Sequence, residues 1–436
     1  MDQSVVFPRH ESYQDSDSDW LGEVPSDWSV ESIRAVTQLK SKKNQPDLQV
    51  LSVYRDYGVI LKNSRDDNHN ATSLDTSGYK VVNEGDLVVN KMKAWQGSMG
   101  VSEHNGIVSP AYITCRVDAE RAFPKFLHYL LRSQPYIGVY NALSYGVRVG
   151  QWDMHYEDFK HIPLPLPDRD QQQRIANFLD QKTAEIDEAI AKKQRLIELL
   201  KEQKSILINQ AVTKGLNPDA PMRDSGVEWI GEMPEHWEIK KLKYVAGGFM
   251  YGTSVDCNTE STGIPVLRIP NISKGHLTLD DLKFAKLSKR EEEKYLLQDN
   301  DILIVRTNGN PQLVGRCALI REAGRFMFAS YLIKVTPQNN IVPQFLVATM
   351  ASASVQDYLT HSARTSAGNY NLNTQSLGDA YLTYPPIEEQ EQMVAYEQSL
   401  HIKFGDILSA VEKDISLLAE LKACLISYAV TGKIKL

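Results

Sequence analysis

The longest regular pattern of apolar positions in the chain runs from residue 170 to residue 213. This stretch contains no Gly or Pro and is rich in residues that favour helices. Four of its apolar residues share one seven-residue register, and a fifth lies on a neighbouring register: Leu179, Ile186, Leu200, Leu207 and Leu196. The pattern predicts a long helix with one apolar stripe, roughly 65 Å long at ~1.5 Å per residue.

A second stretch with the same character runs from residue 389 to residue 431. Its apolar residues also recur every seven positions, at Phe404, Val411, Leu418 and Leu425. Both stretches end in Ala-Val-Thr, at 211–213 and 429–431. Because an apolar stripe on a long helix needs a partner, we expect these two helices to pack against each other as a coiled coil.

The rest of the chain has shorter patterns. Runs such as 86–90 and 301–306 are β-branched and bounded by Gly or Asn, which is typical of strands. The runs that begin at Pro124 and Pro343 look like short helices. These patterns predict an α+β fold in which each globular module has a twisted sheet and a few helices.

The chain contains an internal duplication. The tryptophan motif W-x-G-x-x-P-x-x-W occurs at 20–28 and again at 229–237. Similar pairs of segments follow each copy in the same order, up to a Pro-rich strand that leads into a long helix. We therefore expect two copies of one plan. The segments are a disordered N-terminal stretch at 1–19, the first module at 20–168, the first helix at 169–214, a polar linker at 215–228, the second module at 229–386 and the second helix at 387–436.

Charge is distributed unevenly along the chain. The 436 residues carry a formal net charge of −7, which by itself argues mildly against a nucleic-acid binder. However, residues 32–160 have a net charge of +3 and residues 240–378 of +5, so the remainder sums to −15. Two mildly basic modules joined by acidic segments suit a protein that contacts a polyanion at two places.

The cysteines indicate a reducing compartment. Cys115, Cys257, Cys317 and Cys424 are scattered and show no metal-ligand spacing, so we expect reduced, buried thiols. No apolar run reaches the ~18 residues of a membrane span, and the acidic N-terminus does not read as a signal peptide. These features predict a cytoplasmic protein.

The tryptophan motif and the segments before each long helix resemble the specificity subunit of a type I restriction-modification system. The runs PLPDRDQQQRI at 165–175 and PPIEEQEQMV at 385–394 are similar to the P-P-x-x-E-Q signature of that family. The first run departs from it, with Asp170-Gln171 where Glu-Gln is usual and Leu166 where Pro is usual. The resemblance covers the chain from Trp20 to its C-terminus.

The resemblance implies a division of labour. Each module would be a target recognition domain that reads one half of a split double-stranded DNA sequence, and the two helices would pack antiparallel as a spacer. Methyltransferase subunits would dock on the helical regions, and motor-nuclease subunits would join them. The specificity subunit itself would do no chemistry. S-adenosylmethionine, ATP and magnesium would be bound by the partner subunits.

Base readout needs polar side chains on surfaces that enter a groove of DNA. Each module has two such stretches, one after a buried strand and one before the Pro-rich strand. The candidates in the first module are Lys91, Lys93, Trp95, Gln96, Ser98, Arg148 and Gln151. Those in the second module are Arg306, Thr307, Asn308, Asn310, Gln312, Arg364, Thr365, Asn369 and Asn371, with Arg268 and Asn271 as a weaker pair. A solvated hairpin tip is the ordinary alternative for each stretch.

Other interpretations were weighed against this one. Trp20, Trp28, Trp229 and Trp237 suit a packed core better than base stacking, because they recur regularly with Gly and Pro. No methyltransferase, P-loop or Ser-His-Asp motif is visible, and a nuclease-like match at Asp219 and Glu238 falls on a linker. The remaining alternatives are a related system with a fused methyltransferase-nuclease partner, a coiled-coil scaffold that binds only proteins, and an unrecognised nuclease.

Overall fold

A computed structural model describes residues 7–65, 75–148, 151–273, 275, 277–321, 324–366 and 368–436. The chain divides into two compact units. Unit 1 comprises Met1–Gln194 together with Glu412–Leu436, and unit 2 comprises Arg195–Val411. The C-terminal segment therefore belongs to the unit that opens the chain.

The first module is built on a four-stranded antiparallel sheet in the order β4-β11-β8-β9. Its strands are β1 Tyr13–Asp15, β2 Glu23–Pro25, β3 Ser29–Ser32, β4 Thr37–Leu39, β5 Leu51–Tyr54, β6 Gly58–Leu61, β7 Lys80–Val82, β8 Asp86–Asn90, β9 Met99–Val101, β10 Gly106–Val108, β11 Tyr112–Val117, β12 Tyr145–Arg148, β13 Gln151–Asp153 and β14 Pro163–Leu166. Its helices are α1 Ile33–Val36, α2 Pro124–Leu131, α3 Gln134–Leu143 and α4 Tyr156–Phe159, and α5 Arg169–Lys214 follows. Short 3-10 helices occupy Lys62–Ser64 and Ala94–Gln96.

The central strand β8 is buried on both faces. Leu87 and Val89 pack into the main core with α2, whereas Val88 packs on the opposite side with Leu51 and Val53. Because successive side chains of a strand point to opposite faces, a run of apolar residues without alternation is the expected sequence for such a strand.

The second module repeats this plan, with the sheet β18-β25-β21-β23. Its strands are β15 Met222–Asp224, β16 Glu232–Pro234, β17 Glu238–Lys241, β18 Ala246–Tyr251, β19 Ile264–Leu267, β20 Lys283–Ala285, β21 Ile302–Val305, β22 Thr307–Asn308, β23 Cys317–Leu319, β24 Met327–Phe328, β25 Leu332–Pro337, β26 Arg364–Ser366, β27 Asn369–Asn371 and β28 Tyr381–Tyr384. Its helices are α6 Lys289–Tyr295, α7 Pro343–Met350, α8 Ala353–Ser362 and α9 Thr374–Gly378, and α10 Ile387–Val430 follows. Three 3-10 helices span Leu242–Tyr244, Ile269–Asn271 and Pro311–Leu313. The predicted α+β duplication is confirmed.

Within unit 1, the first part of α5 packs antiparallel to the last part of α10. Lys422 pairs with Asp187 at 2.6 Å and Lys193 pairs with Asp414 at 2.7 Å, so numbering rises along one helix as it falls along the other. Within unit 2, Lys204 Nζ lies 2.8 Å from His401 Nδ1 on the partner helix. Among the predicted contact residues, Leu179, Ile186, Phe404, Val411 and Leu425 are buried, and Leu200, Leu207 and Leu418 are half-buried.

Leu196 was assigned to a contact with the other helix or with a partner subunit, and the structure contradicts the first of these. Its side chain is 42% exposed, whereas Ile197 one position later is half-buried. The half-buried positions continue through Lys193, Ile197 and Leu200, a spacing of three and four residues that follows the pitch of an α-helix. Lys193 is half-buried and its ammonium group pairs with Asp414, so the helix contact continues through a charged residue.

Each tryptophan motif packs against the end of a long helix. In unit 1, Trp28 is buried, and a Cβ built on Gly432 would lie 2.3 Å from Pro25. In unit 2, Trp237 is buried and a Cβ on Gly215 would lie 3.3 Å from it. Both glycines have a positive φ, +70° and +81°, which favours Gly and ends the helix. The first tryptophan motif therefore packs against the C-terminal end of α10, and the second packs against the C-terminal end of α5.

The prediction of a disordered N-terminal stretch at 1–19 is wrong for its described part. Tyr13–Asp15 forms a strand that pairs with Glu23–Pro25. In the same way Met222–Asp224, which lies in the predicted linker, pairs with Glu232–Pro234. The C-terminal tail supports this hairpin, because the Lys435 N–H donates to the Pro8 carbonyl at 2.8 Å. Polar composition alone could not reveal this contact with the far end of the chain. Residues 1–6 lie outside the described residues.

The four cysteines are free, and Cys115 and Cys317 are buried. Burial raises the pKa of each of these two thiols to about 12. Cys257 is half-buried and Cys424 is exposed, so the expectation that all four would be buried is wrong at these two positions. In the part of the chain that the structure describes, no helix is long and apolar enough to cross a membrane.

Candidate nucleic-acid interface

A buried glutamine at the start of each long helix holds the module above it. The Val342 N–H, at the start of α7, donates to Gln390 Oε1 at 2.9 Å, and Gln390 Nε2 donates to the Pro385 carbonyl at 2.8 Å. In unit 1, Gln172 makes the same two contacts, with the Phe123 N–H at 2.6 Å and the Pro167 carbonyl at 2.9 Å. In each module one buried amide side chain thus joins the main chain before the first module helix to the start of the long helix.

These contacts correct the alignment of the signature. Gln172 corresponds to Gln390, so Gln171 corresponds to Glu389. Gln171 and Glu389 each accept a hydrogen bond from a motif tryptophan. Trp28 Nε1 donates to Gln171 Oε1 at 3.2 Å and Trp237 Nε1 donates to Glu389 Oε2 at 3.0 Å. The departures from P-P-x-x-E-Q are therefore Asp168 and Gln171, and not Leu166 and Asp170.

The two candidate stretches of the first module lie side by side. The Met154 N–H donates to the Lys91 carbonyl at 2.9 Å, and the Lys91 ammonium pairs with Asp153 at 3.0 Å. The rings of Trp95 and Trp152 meet edge to face, with centroids 5.1 Å apart. We call residues 91–98 together with the β12–β13 hairpin the first polar tip. A two-stranded ribbon of this kind can enter the major groove of B-DNA.

The residues of the first polar tip differ in their access to solvent. Lys93 is exposed, and Lys91 and Gln96 are half-buried. Ser98 is only 2% exposed, so it cannot contact DNA in this conformation, and its assignment as a base contact is corrected. Gly97 has φ +84° and lies against Ile137, which forces the turn that buries Ser98. Arg148 and Gln151 face each other across the ribbon, and their side chains lie outside the described part of the structure.

The candidate stretches of the second module also converge, in a three-stranded sheet with the order β22-β27-β26. Thr307 pairs with Asn371, and Asn371 pairs in turn with Arg364. Thr365 pairs with Tyr370 on the same sheet. We call residues 306–312 together with the β26–β27 hairpin the second polar tip. The side chains of Arg364 and Thr365 lie outside the described part of the structure.

Arg306 is positioned at the base of the second polar tip. Its guanidinium lies over the Tyr251 ring, 4.5 Å from the centroid. It donates to Asn371 Oδ1 and to the Ser330 carbonyl, both at the long distance of 3.5 Å. Its Nε is buried and has no hydrogen-bond partner among the described residues. Arg306 is therefore oriented by stacking, while its hydrogen-bonding capacity is incompletely used.

Amide side chains dominate the outer part of the second polar tip. Asn308 Oδ1 accepts from the Asn310 N–H at 2.9 Å, and Asn310 Oδ1 accepts from the Gln312 N–H at 3.0 Å. These turns fix the loop while the amide nitrogens stay available as donors. Asn310, Gln312 and Asn369 are exposed. Amides that can both donate and accept are the side chains that pair best with adenine in the major groove.

Arg268 and Asn271 are structural residues, which corrects their assignment as base contacts. Asn271 is 1% exposed and its amide donates to the carbonyls of Thr278 and Asp280, at 3.0 and 2.9 Å. Arg268 donates to the Asp281 carbonyl at 2.6 Å and pairs with its carboxylate at 3.0 Å. Together they hold the loop that follows β19.

Sequence reasoning named Trp95 but missed the other aromatic residues of the two tips. Tyr251 comes from β18 but lies under Arg306, and Trp152 lies against Trp95. Tyr145 is 58% exposed and stacks on His155, with centroids 4.9 Å apart and rings 18° from parallel. The only sequence signal was an aromatic next to each polar stretch. Of the motif tryptophans, Trp28 and Trp237 are in the core as predicted, whereas Trp20 and Trp229 are half-buried.

Each four-stranded sheet has a buried carboxylate that forms an ion pair with a lysine. Asp86 and Asp301 are equivalent buried carboxylates, paired with Lys40 and with Lys334 respectively. Desolvation, together with the nearby Lys43, lowers the pKa of Lys80. Among the described residues, no group of three or more His, Cys, Asp or Glu side chains is placed to hold a metal ion. The tips offer hydrogen-bond donors, acceptors and aromatic rings.

Comparisons with known proteins agree on one family. A sequence model described as "Type I restriction modification DNA specificity domain" matches residues 25–199 and 234–421, one match for each copy of the repeat. The EcoKI specificity subunit of Escherichia coli K12 is 22% identical over 414 residues, covering 89% of this chain and 87% of that protein. The MjaVIII specificity subunit of Methanocaldococcus jannaschii is 24% identical over 436 residues, covering 94% of each.

Two solved structures share the fold. One belongs to work on complex assembly and conformational transition of the type I R-M system, with a TM-score of 0.67 at 16% identity over 93% of this chain and 98% of that chain. The other is the HsdS subunit from Thermoanaerobacter tengcongensis, with a TM-score of 0.53 at 17% identity over 94% of this chain and 98% of that chain.

Proposed function

This chain belongs to the type I restriction-modification DNA specificity family, and on that premise we propose that its two polar tips each read one half of a bipartite double-stranded DNA sequence. The chain is the non-catalytic specificity subunit. It directs the subunits that modify and cleave DNA to their target. Because the side chains of the two tips differ, we expect the two half-sites to differ.

The observation that carries the proposal is the convergence of distant polar stretches in both modules. Residues near 91 and near 151 meet in the first module, and residues near 307 and near 370 meet in the second. A solvated hairpin tip does not require this recurrence. It needs neither a second polar stretch beside it nor an equivalent pair in the other module.

The long helices offer a surface for the partner subunits. On α10 in unit 1, Leu417, Leu421 and Tyr428 lie on one face and are 52%, 54% and 51% exposed. Their spacing of four and seven residues makes an apolar stripe. We infer that a methyltransferase subunit covers it. The equivalent face of α5 in unit 2 carries Leu199 and Ile206, 46% and 49% exposed. Two equivalent faces suit two methyltransferase copies.

The cofactors of the reactions are assigned to the partners in this proposal. S-adenosylmethionine would be bound by the methyltransferase subunits, and ATP with magnesium by the restriction subunits. The residues of this chain would supply position and sequence selection only.

Lys93→Ala and Arg306→Ala test the proposal as a matched pair, one in each tip. The readout is the methylated sequence motif in cells that carry the complete system. We expect each variant to relax one half-site and leave the other intact, since one base contact is worth ~1–3 kcal/mol of discrimination. If each variant weakened both half-sites equally, the residues would contact phosphates or support the fold. An unchanged motif in both variants would refute the assignment of the tips.

A further inference from the structure

The first module has a groove beside Trp20. At the equivalent place in the second module, side chains of that module fill the space. There, Trp229 of the tryptophan motif stacks on Tyr358 of α8, with centroids 4.5 Å apart and rings 24° from parallel. Tyr381 lies 6.2 Å away on β28, and the Tyr358 hydroxyl donates to the Ser376 carbonyl at 3.2 Å. The indole of Trp229 is therefore covered by the Tyr358 ring, and the Tyr358 hydroxyl is satisfied by a hydrogen bond.

The equivalent positions of the first module carry small or aliphatic residues. Helices α3 and α8 have the same length, which places Val139 at the position of Tyr358. The paired strands β14 and β28 place Pro163 at the position of Tyr381. Trp20 remains at the position of Trp229 and packs edge to face on Tyr136, with ring centroids 4.9 Å apart. Among the described residues of the first module, no ring stacks on Trp20 as Tyr358 does on Trp229.

The result is a groove of about 720 Å³. Its walls are apolar and include Trp20, Pro135, Val139 and Leu143. Glu157, Asp158 and His161 also line the groove. Glu157 pairs with Lys160, whereas the Asp158 carboxylate has no hydrogen-bond or ion-pair partner among the described residues. Counting back from the paired strands, Asp158 occupies the position of Ser376, where the Tyr358 hydroxyl ends in the other module.

We propose that this groove binds an arginine side chain presented by an apolar segment of a partner protein. Two independent features select arginine. The missing Tyr358 ring leaves a flat indole that a planar group can cover, and a guanidinium stacks on an indole in this way. Beside that space Asp158 carries a carboxylate where the second module has the neutral side chain of Ser376, which favours a cationic group. The aliphatic stem of arginine would pack along Val139 and Leu143. The proposal does not depend on DNA recognition.

The test uses the full-length chain labelled with ¹⁵N at its tryptophan indoles, which number six. The probe is a blocked tetrapeptide with one arginine among leucine and valine residues. We expect the probe to shift the Trp20 indole signal in a saturable way and to leave the Trp229 signal unmoved. Trp229 is the internal control because Tyr358 already covers it.

Three changes separate arginine recognition from general apolar binding. Replacing the probe arginine by citrulline keeps the planar group and removes the charge, and we expect about tenfold weaker binding. Asp158→Asn should weaken binding of the arginine probe to the same degree and leave citrulline binding unchanged. Val139→Tyr should fill the groove and abolish binding, with the other indole signals showing that the fold is kept. Equal binding of the two probes, or an unmoved Trp20 signal, would overturn the proposal.

Discussion

Gln390 is the residue whose removal gives the sharpest test of how the modules are held. Its side chain is fully buried and makes two hydrogen bonds, one accepted from the Val342 N–H and one donated to the Pro385 carbonyl. In Gln390→Ala, both main-chain groups lose their partner inside a closed contact. An unsatisfied buried polar group costs ~1–3 kcal/mol, so for two such groups we expect a loss of about 2–6 kcal/mol in the stability of unit 2.

Urea unfolding together with amide hydrogen exchange measures this loss where it occurs. Exchange should accelerate at the start of α7 and along β28, and unit 1 should keep its protection. The matched control is Gln392→Ala, which removes the same side chain from an exposed position two residues further along α10. We expect that control to change stability by less than ~0.5 kcal/mol. If both variants lost the same amount, the buried amide would not be what holds the module, and the reasoning would fail.

Two further predictions follow from the buried core and the exposed helix face. Burial, with Arg132 beside it, lowers the pKa of His128 to about 4. The unfolded chain takes up this proton first as pH falls, so the stabilising contribution is complete above pH ~6.5 and declines toward pH 4, by up to ~3 kcal/mol. Urea unfolding of unit 1 at pH 7 and pH 5 should show the decline, and His128→Gln should flatten it; an unchanged slope in that variant would assign the effect to other groups. On α10, Leu417→Asp with Leu421→Asp should abolish co-elution with the methyltransferase subunit and leave the free energy of unfolding within ~0.5 kcal/mol. Ala419→Asp, an exposed position on the opposite face, is the control, and equal loss of co-elution in it would refute the docking stripe.

The periodic parts of the fold could be predicted from sequence, because their signal is local. Heptad spacing placed α5 and α10 correctly, since the apolar residues of a helix stripe recur in successive turns and so lie close together in the sequence. The repeat of the tryptophan motif revealed the duplication for the same reason. The coiled-coil assignment failed at Leu196 because the helix contact follows Lys193, Ile197 and Leu200, and Lys193 takes part in it through its ion pair with Asp414. A pattern that counts lysine as polar cannot see this.

The parts that could not be predicted depend on contacts between distant residues. Asn271 is a residue type that often contacts bases, yet its amide donates a hydrogen bond to the Thr278 carbonyl seven residues away. Tyr251 contributes to the second polar tip from a strand far earlier in the chain. The N-terminal hairpin looked unstructured because its support, Lys435, is at the other end of the sequence. In each case the local sequence is compatible with several environments, and only the tertiary contact selects one.

The division of the chain into units also has a consequence for its synthesis. Unit 2 is one continuous segment and is complete once Val411 has left the ribosome. Unit 1 begins first but lacks Glu412–Leu436 until all of unit 2 has been synthesised, and with it the buried Leu425, Val430 and Ile434 of its core. The N-terminal part must therefore wait with an apolar surface uncovered while the later part folds. Such a nascent chain is exposed to aggregation, so we expect chaperone dependence to be concentrated in the half that is made first.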